Sequence, residues 1–244
     1  MTVHVLKKLE HDLFPLNVAL GKIPGVSIVN IFGHNNAQGG TFRTVWELSD
    51  TTNLVLPASP LQMTVTSDVG DTSDDGVQIR IIGLDVNYEP LAETVTINNA
   101  TPPTTINSFF RINTVITVSG NAAGDISVTN GVTTYAYIIG GTGKNQSANY
   151  TVPAGCDFYL FRIDAFMNDA TAAKPGEFRN QSTLSNGTVL RVADTPYINQ
   201  MNIQRRFPFK YSEKTDIEFQ IRSLGGTNNC GVFGEGILID STVY

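Results

Sequence analysis

The side chains of this sequence that could do chemistry are few and scattered. Its three histidines, His4, His11 and His34, all fall near the start of the chain. A general base must lie within hydrogen-bond reach of the proton that it removes, and no neighbouring pattern holds these histidines in such a position. A GxSxG elbow for a nucleophilic serine is also missing. We therefore predict no catalytic residue, no bound cofactor and no enzymatic activity.

The densest acidic cluster raises the question of calcium. Asp68, Asp71, Asp74 and Asp75 lie within the stretch SDVGDTSDDG, and Ca²⁺ prefers carboxylate oxygens as ligands. Their spacing does not match the twelve-residue loop of an EF-hand. Asp residues are also common in turns, where their side chains accept hydrogen bonds from the backbone. The sequence favours an ordinary turn without a metal, and calcium binding by the Asp68–Asp75 loop stays an open alternative.

Cysteine spacing and a glycine-rich run give no further site. Cys156 and Cys230 lie far apart, without the CxxC or Cys/His spacing of a metal site. We expect two small buried side chains, with a disulfide between them as the alternative. The run Gly140, Gly141 and Gly143 lacks both the GxxxxGK[ST] pattern and a following helix. It predicts a flexible loop.

Charge and hydropathy exclude two classes of partner. The net charge is -6, whereas a duplex-binding surface needs clustered Lys and Arg. The adjacent Arg205 and Arg206 are expected to be a solvated pair at a strand end. Neither a signal peptide nor a run of ~18 apolar residues is present. We predict no nucleic-acid or membrane partner and synthesis in a cytoplasm.

The sequence around these residues predicts β-strands. Val77, Ile79 and Ile81 alternate with polar residues at the start of a hairpin that spans 77–99, and Asn130-Gly131 is a strong signal for a second hairpin. Strands recur about every ten residues without helical patterns between them, which is typical of sandwiches and jelly rolls. The predicted class is all-β, as one large or two consecutive sandwiches. The predicted regions are an arm over 1–25, a β-sandwich over 26–118 and a second sandwich or jelly roll over 119–244, with one continuous domain as the alternative.

The first residues differ in pattern from the rest. Leu6, Leu9 and Leu13 recur at helical spacing, until Pro15 makes continuation of the helix unfavourable. This short helical or extended arm has two alternative roles. It covers the open end of its own sandwich, or it reaches a neighbouring subunit.

The stretch CDFYLFRIDAFMN predicts a long strand near residue 160. Phe158, Leu160 and Arg162 are expected on one face, and Tyr159, Phe161 and Ile163 on the other. Because both faces are mostly apolar, the strand suits the inside of a sheet or a surface covered by another subunit. Since symmetric assembly is the default for such modules, we expect a cyclic oligomer, with a trimer preferred.

Several segments together resemble one protein family. They are GKIPG and IFGHN near the start, the central GLDVNYEPLAETVTIN, YTVPAG, EKTDIEF and the closing GVFGEGILID. In this succession the chain resembles virion structural proteins of tailed bacteriophages, a family frequent in phages of marine bacteria that include cyanobacteria. The resemblance begins near Gly21 and covers most of the chain.

That resemblance implies a structural role with no catalytic residues to carry over. It implies a protein of the virion that decorates or projects from the capsid, with copies of itself and capsid proteins as partners. Attachment to collar, neck or tail proteins is the alternative. A glycan-binding receptor module for the host surface is a second alternative, and it would need outward-facing aromatic residues such as Tyr135, Tyr137 or Tyr197.

Overall fold

The computed structural model describes residues 14–68, 73–168 and 174–243. Within those ranges one short helix precedes a succession of antiparallel strands. The predicted helix of Leu6, Leu9 and Leu13 lies outside the described residues. The elements are α1 (Phe14–Ala19), β1 (Val26–Gln38), β2 (Arg43–Thr44), β3 (Thr64–Ser67), β4 (Gln78–Leu84), β5 (Pro90–Thr96), β6 (Arg111–Ser119), β7 (Ile126–Asn130), β8 (Thr133–Ile138), β9 (Asn149–Thr151), β10 (Cys156–Asn168), β11 (Pro175–Thr183), β12 (Val189–Ile198), β13 (Gln200–Tyr211), β14 (Asp216–Ser223) and β15 (Asn228–Asp240).

Eight of these strands form a jelly roll. In chain order they are β1, β2 and β10 to β15, and they pair from the outside inward: β1 with β15, β2 with β14, β10 with β13, and β11 with β12. The nesting produces a first sheet, β1-β15-β10-β13, and a second sheet, β12-β11-β14-β2, which are joined through the pair Ile198 and Gln200. Strand β9 adds to β14 beside β2. The predicted all-β jelly-roll class is confirmed.

The inner faces of the two sheets share one hydrophobic cluster, in which Phe158 and Phe219 are fully buried. Contact across the sandwich is direct, because the side-chain amide of Asn180 on β11 donates to the Tyr211 hydroxyl on β13 at 2.6 Å. On β15, Gly234 leaves room for the Phe219 ring, which would lie 2.4 Å from a Cβ at that position. Gly234 therefore lets a large ring from the facing sheet fill the core, and Gly236 in the same way leaves room for the Phe158 ring of the neighbouring strand β10.

The long strand β10 lies inside the first sheet, between β15 and β13, as predicted. The predicted orientation of its side chains is wrong after Leu160. A β-bulge between Leu160 and Arg162 shifts the register against both neighbours. Consequently Phe161 and Arg162 both point outward, and Ile163 turns into the core at 1% exposure.

Strands β3 to β8 form a second unit, which we call the inserted unit because it interrupts the jelly roll between β2 and β9. Its sheets, β3-β7-β8 and β5-β4-β6, enclose a separate hydrophobic cluster that includes Ile79 and Ile81. The hairpin predicted over 77–99 is confirmed as β4 and β5, with Ile81 opposite Glu93. The Asn130-Gly131 hairpin is confirmed as well, and Gly131 adopts the positive φ of 58° that its turn requires.

The strand pairings cut across the predicted division between residues 118 and 119. Strand β3 at 64–67 pairs with β7 at 126–130, and β1 pairs with β15 at the other end of the chain. A division into consecutive segments fails because the jelly roll joins strands from opposite ends of the sequence. The two hydrophobic clusters instead separate the jelly roll from the inserted unit.

One local prediction also needs correction. Pro15 does not end a helix but lies in the first turn of α1, where proline is tolerated because its missing N–H would be unpaired anyway. Further along, the stretch HNNAQ forms the end of β1. There the side-chain amide of Asn35 donates to the carbonyls of Trp46 and Glu47, which holds the chain after β2 in a turn.

Candidate assembly surface

The acidic cluster is dispersed into turn contacts. Asp74 is fully buried, and its carboxylate accepts hydrogen bonds from the Ser67 hydroxyl and from the backbone N–H groups of Ala123 and Gly124. Although burial alone would raise the pKa of Asp74, these hydrogen bonds hold it below its usual value. The Asp75 carboxylate accepts a hydrogen bond from the backbone N–H of Asn99, which also lies in the inserted unit.

Asp68 accepts a hydrogen bond from the backbone N–H of Asp125, and Asp71 lies outside the described residues. No group of three or more His, Cys, Asp or Glu side chains within the described ranges could hold a metal ion. The carboxylates of Asp68, Asp74 and Asp75 thus accept backbone hydrogen bonds from other loops of the chain, and not from their own turn as a local Asx turn would.

The remaining chemical candidates lie apart from one another. Cys156 and Cys230 are free. Cys156 begins β10, opposite Asp240 of β15, whereas Cys230 lies on β15, opposite Met167 near the other end of β10. Burial raises the pKa of the Cys230 thiol to about 12. The glycine-rich run is a turn after β8 in which Gly141 and Gly143 have positive φ.

His34 lies on the outer side of β1. Its Nε2 is 3.1 Å from the Asn229 Oδ1, and its ring centroid lies 6.3 Å from that of Phe166. Arg205 and Arg206 lie within β13, not at a strand end. Arg205 is half-buried with its guanidinium 5.8 Å from the Phe209 ring centroid, so the expectation of two solvated side chains fits Arg206 alone.

The tyrosines considered for glycan binding do not form an exposed platform. Tyr197 is buried at 8% exposure in the jelly-roll core. The Tyr137 hydroxyl donates to the Asp125 carboxylate at 2.5 Å, and Tyr135 packs against the cluster of the inserted unit.

Among the described residues, none of the helical segments has the length and hydropathy of a transmembrane helix.

A buried ion pair joins the inserted unit to the jelly roll. The guanidinium of Arg111 on β6 donates through Nε and Nη2 to both carboxylate oxygens of Asp216 on β14, at 2.8 and 2.9 Å. Its Nη1 donates to the carbonyls of Pro57 and Phe110, and Thr151 donates to Asp216. Because every charged atom of the pair has a partner, the pair fixes the orientation of the inserted unit.

A second buried acid lies near the same junction. Glu47 accepts a hydrogen bond from the backbone N–H of Gln146, while its Oε2 is buried without a partner. Burial raises the pKa of Glu47 to about 7. Among the described residues Glu47 belongs to no group of three or more His, Cys, Asp or Glu side chains that could hold a metal ion, and we assign it no chemistry.

The outer side of the first sheet carries apolar side chains on three strands. On β1 and β15, Ile28 lies opposite Ile237 and Phe32 lies opposite Phe233, and two phenylalanines of β10 join them. We call this surface the outer apolar face. Four of its side chains are 37–42% exposed. Its members are Ile28, Phe32, Phe161, Phe166, Phe233 and Ile237.

Helix α1 covers one end of this face. Phe14 and Val18 contact the sheet around an apolar cavity of about 260 Å³ that Ile28 and Phe161 also line. A polar row crosses this face, because Asn30 lies opposite Glu235 and Glu235 lies opposite Arg162. Arg162 also pairs with Asp164 at 2.6 Å. Exposed apolar side chains grouped among polar ones are typical of a protein interaction site.

The outer side of the second sheet contains two ion pairs beside exposed Val189 and Ile198. Arg222 pairs with Glu177 at 2.5 Å, and Arg179 pairs with Asp194 at 2.9 Å. The hydrogen bond from Arg179 holds the pKa of the Asp194 carboxyl below its usual value. The guanidinium groups of Arg179 and Arg222 also lie over the Phe42 ring, at 3.7 and 4.6 Å from its centroid.

No protein-family model matches the chain, and no curated protein matches it. Solved structures of infectious bursal disease virus are similar in part. That of the Gx strain has 12% identity and a TM-score of 0.26, and the match covers 90% of this chain and 73% of that chain. For the VP2 subviral particle of the same virus, the identity is 11%, the TM-score 0.23 and the coverage 95% of this chain and 78% of that chain. At these scores the likeness carries no weight, and the jelly-roll assignment comes from the strand order of the chain itself.

Sequence reasoning missed the contrast between the two outer faces and the pair of Arg111 with Asp216. The sequence did carry a signal for the first, because β1 has apolar residues on both sides: Ile28 and Phe32 on one, and Val29 and Ile31 on the other. Which side of a strand faces outward depends on its pairing partner, however, and the partner of β1 lies about two hundred residues away in the sequence.

Proposed function

We propose that this protein is a non-enzymatic structural subunit of a virus particle, assembled from copies of itself through the outer apolar face. The observation that carries this proposal is the difference between the two outer faces of the jelly roll. One carries partly exposed Ile and Phe side chains on three strands, whereas on the other two arginines pair with acids of the same sheet.

The jelly-roll topology is compatible with this role, since eight-stranded jelly rolls build viral capsid and lectin domains. The sequence segments that resemble tailed-phage virion proteins give the finer proposal: a protein that decorates or projects from a phage capsid as a cyclic trimer. Attachment at the collar, neck or tail is the runner-up. Glycan binding is disfavoured because Tyr135, Tyr137 and Tyr197 are half-buried or buried.

Self-association can be tested directly with two phenylalanines of β10. We expect the purified chain to sediment as a trimer at micromolar concentration, and the double variant Phe161→Ser/Phe166→Ser to sediment as a monomer. The matched control is Gln220→Ser on the outer side of the second sheet, which should leave the oligomer intact. A monomeric parent protein, or a double variant that still forms the same oligomer, would contradict the proposal.

The place in the particle requires a different measurement. Quantitative mass spectrometry of purified particles gives the copy number per virion. Hundreds of copies would indicate capsid decoration, and about a dozen would indicate the collar or tail. Absence from purified particles would refute the virion role.

A further inference from the structure

Strand β1 has one open edge. In the described chain β15 is the strand that pairs with it, and alternate residues of a strand present their backbone groups to the same side. At one end of the open edge the Val26 N–H donates to the Ile23 carbonyl, and at the other end the His34 N–H donates to the Gln146 carbonyl. Between these ends, three residues present N–H and C=O groups that bond to no other described residue: Ile28, Asn30 and Phe32.

A slot lies along this edge. The chain from Ile28 to Phe32 forms one wall of a cavity of about 490 Å³, and β4 and β6 of the inserted unit, through Ile82 and Thr114, form the opposite wall. Four residue steps at ~3.3 Å give a slot length of ~13 Å. The cross-section is then ~38 Å², close to the ~48 Å² that one strand occupies at ordinary strand and sheet spacings. The slot therefore fits one extended segment and excludes a second sheet.

A cation without a counterion lines the same slot. Lys144 is part of the cavity wall, and none of the ion pairs formed within the described chain includes it. The nearby Gln146 carbonyl binds the His34 N–H, so Lys144 lies towards the Phe32 end of the slot. Because none of the described residues that line the slot is an Asp or Glu, this end of the slot favours an anionic group.

The inner side of the slot is apolar. Val29 and Ile31 of β1 point towards the jelly-roll core, and Tyr150 and Leu238 pack against the same core and line the slot as well. Residues of an added strand that lie opposite Val29 and Ile31 would face this apolar side, whereas their neighbours would face outward beside Asn30. The slot therefore favours a segment in which apolar and polar residues alternate.

We propose that the slot binds an extended segment of a different protein, which adds to the first sheet as a strand beside β1 and places an acidic side chain against Lys144. Backbone pairing gives the affinity, while the apolar inner side and Lys144 give the sequence preference. A sugar lacks donors and acceptors that repeat at the ~6.6 Å spacing of alternate strand residues. The proposal does not rest on the outer apolar face, because it concerns the backbone groups of β1 and not its outward side chains.

Selection of a yeast-displayed library of random heptapeptides on the purified full-length chain tests the preference. We expect the enriched peptides to alternate apolar and polar residues and to carry Asp or Glu near one end. Asn30→Pro removes one edge N–H without removing a bond to β15, and Asn30→Ala is the matched control that keeps the N–H. A synthetic enriched peptide should bind the proline variant at least about tenfold more weakly than the alanine variant.

A second variant probes the charge. Lys144→Gln should weaken binding of the same peptide about two- to fivefold, and by less at high salt. The proposal is refuted if no peptide is enriched, or if the enriched peptides do not need an acidic residue. Equal binding by Asn30→Pro and Asn30→Ala, with far-ultraviolet circular dichroism showing that both are folded, would also refute it.

Amide hydrogen exchange measured residue by residue locates the bound peptide. In the chain alone, the amides of Ile28, Asn30 and Phe32 should exchange at least about a hundredfold faster than those of Val29 and Ile31, which face β15. Saturation with the enriched peptide should slow the three edge amides at least about tenfold and leave the two control amides unchanged. Edge amides that are already protected without peptide would overturn the proposal, because this chain or another copy of it would then fill the slot.

Discussion

The pair of Arg111 with Asp216 allows a quantitative test of how the two units are held together. Arg111 and Asp216 are 8% and 6% exposed, and two hydrogen bonds of 2.8 and 2.9 Å join them. Removing one partner leaves the other charge buried and incompletely paired, which typically costs about 3–5 kcal/mol. We therefore expect Arg111→Met and Asp216→Leu each to lower the free energy of unfolding by about 3–5 kcal/mol.

The double variant should behave differently from the sum of the single variants. With both charges gone no isolated ion remains, and an apolar pair of similar volume is often close to neutral. We expect Arg111→Met/Asp216→Leu to cost no more than either single variant, and hence less than the two single losses together by at least about 3 kcal/mol. Urea denaturation followed by circular dichroism and by the fluorescence of Trp46 measures all four proteins.

An exposed pair provides the comparison. Arg162→Met removes the ion pair with Asp164 on the outer side of the first sheet, where both side chains remain partly accessible, and should cost no more than about 1 kcal/mol. If Arg111→Met cost as little as Arg162→Met, or if the two single losses were additive, the pair would not be the joint that we infer. A separation of the two probes into distinct transitions is expected in the single variants, because the inserted unit and the jelly roll have separate cores.

Three further predictions concern stability. Truncation of the fully buried Ile81 to Ala should cost about 2–4 kcal/mol through lost burial and the cavity left behind, whereas Glu89→Lys in the exposed hairpin turn should cost under about 0.5 kcal/mol; equal costs in a denaturant titration would mean that the core face of β4 is misassigned. Chelator should leave the melting temperature unchanged because the carboxylate of Asp74 already accepts hydrogen bonds from the backbone N–H groups of Ala123 and Gly124, and a rise of several degrees with calcium would show otherwise. At pH values between the ordinary Glu pKa of 4.5 and the raised pKa of about 7, Glu47 is protonated more often in the folded than in the unfolded state. The free energy of unfolding should therefore fall as the pH rises through this window. Glu47→Gln should make that fall smaller in melts from pH 5 to pH 8, and an unchanged slope would contradict the assignment.

Local patterns in the sequence were sufficient for the elements themselves. Alternation through Val77, Ile79 and Ile81 predicted β4, and Asn130-Gly131 predicted the hairpin of β7 and β8, because the period of two and the positive φ of the turn depend on adjacent residues. The all-β class followed from the same short-range signals. The hydrogen bonds of Asp75, Asp74 and Asp68, by contrast, join backbone groups 24, 49 and 57 residues away, which no local pattern shows.

Tertiary structure decided everything that depends on partners distant in the chain. The jelly roll pairs its first strand with its last, so no local pattern showed that 64–138 is an insertion. The bulge after Leu160 became visible only against β13 and β15, and it reversed the facing of Ile163. The outer apolar face and the buried pair of Arg111 with Asp216 likewise join residues that are far apart in sequence. The periodicity of a sequence predicts that a strand has two faces, but which face is buried depends on how one sheet packs on another.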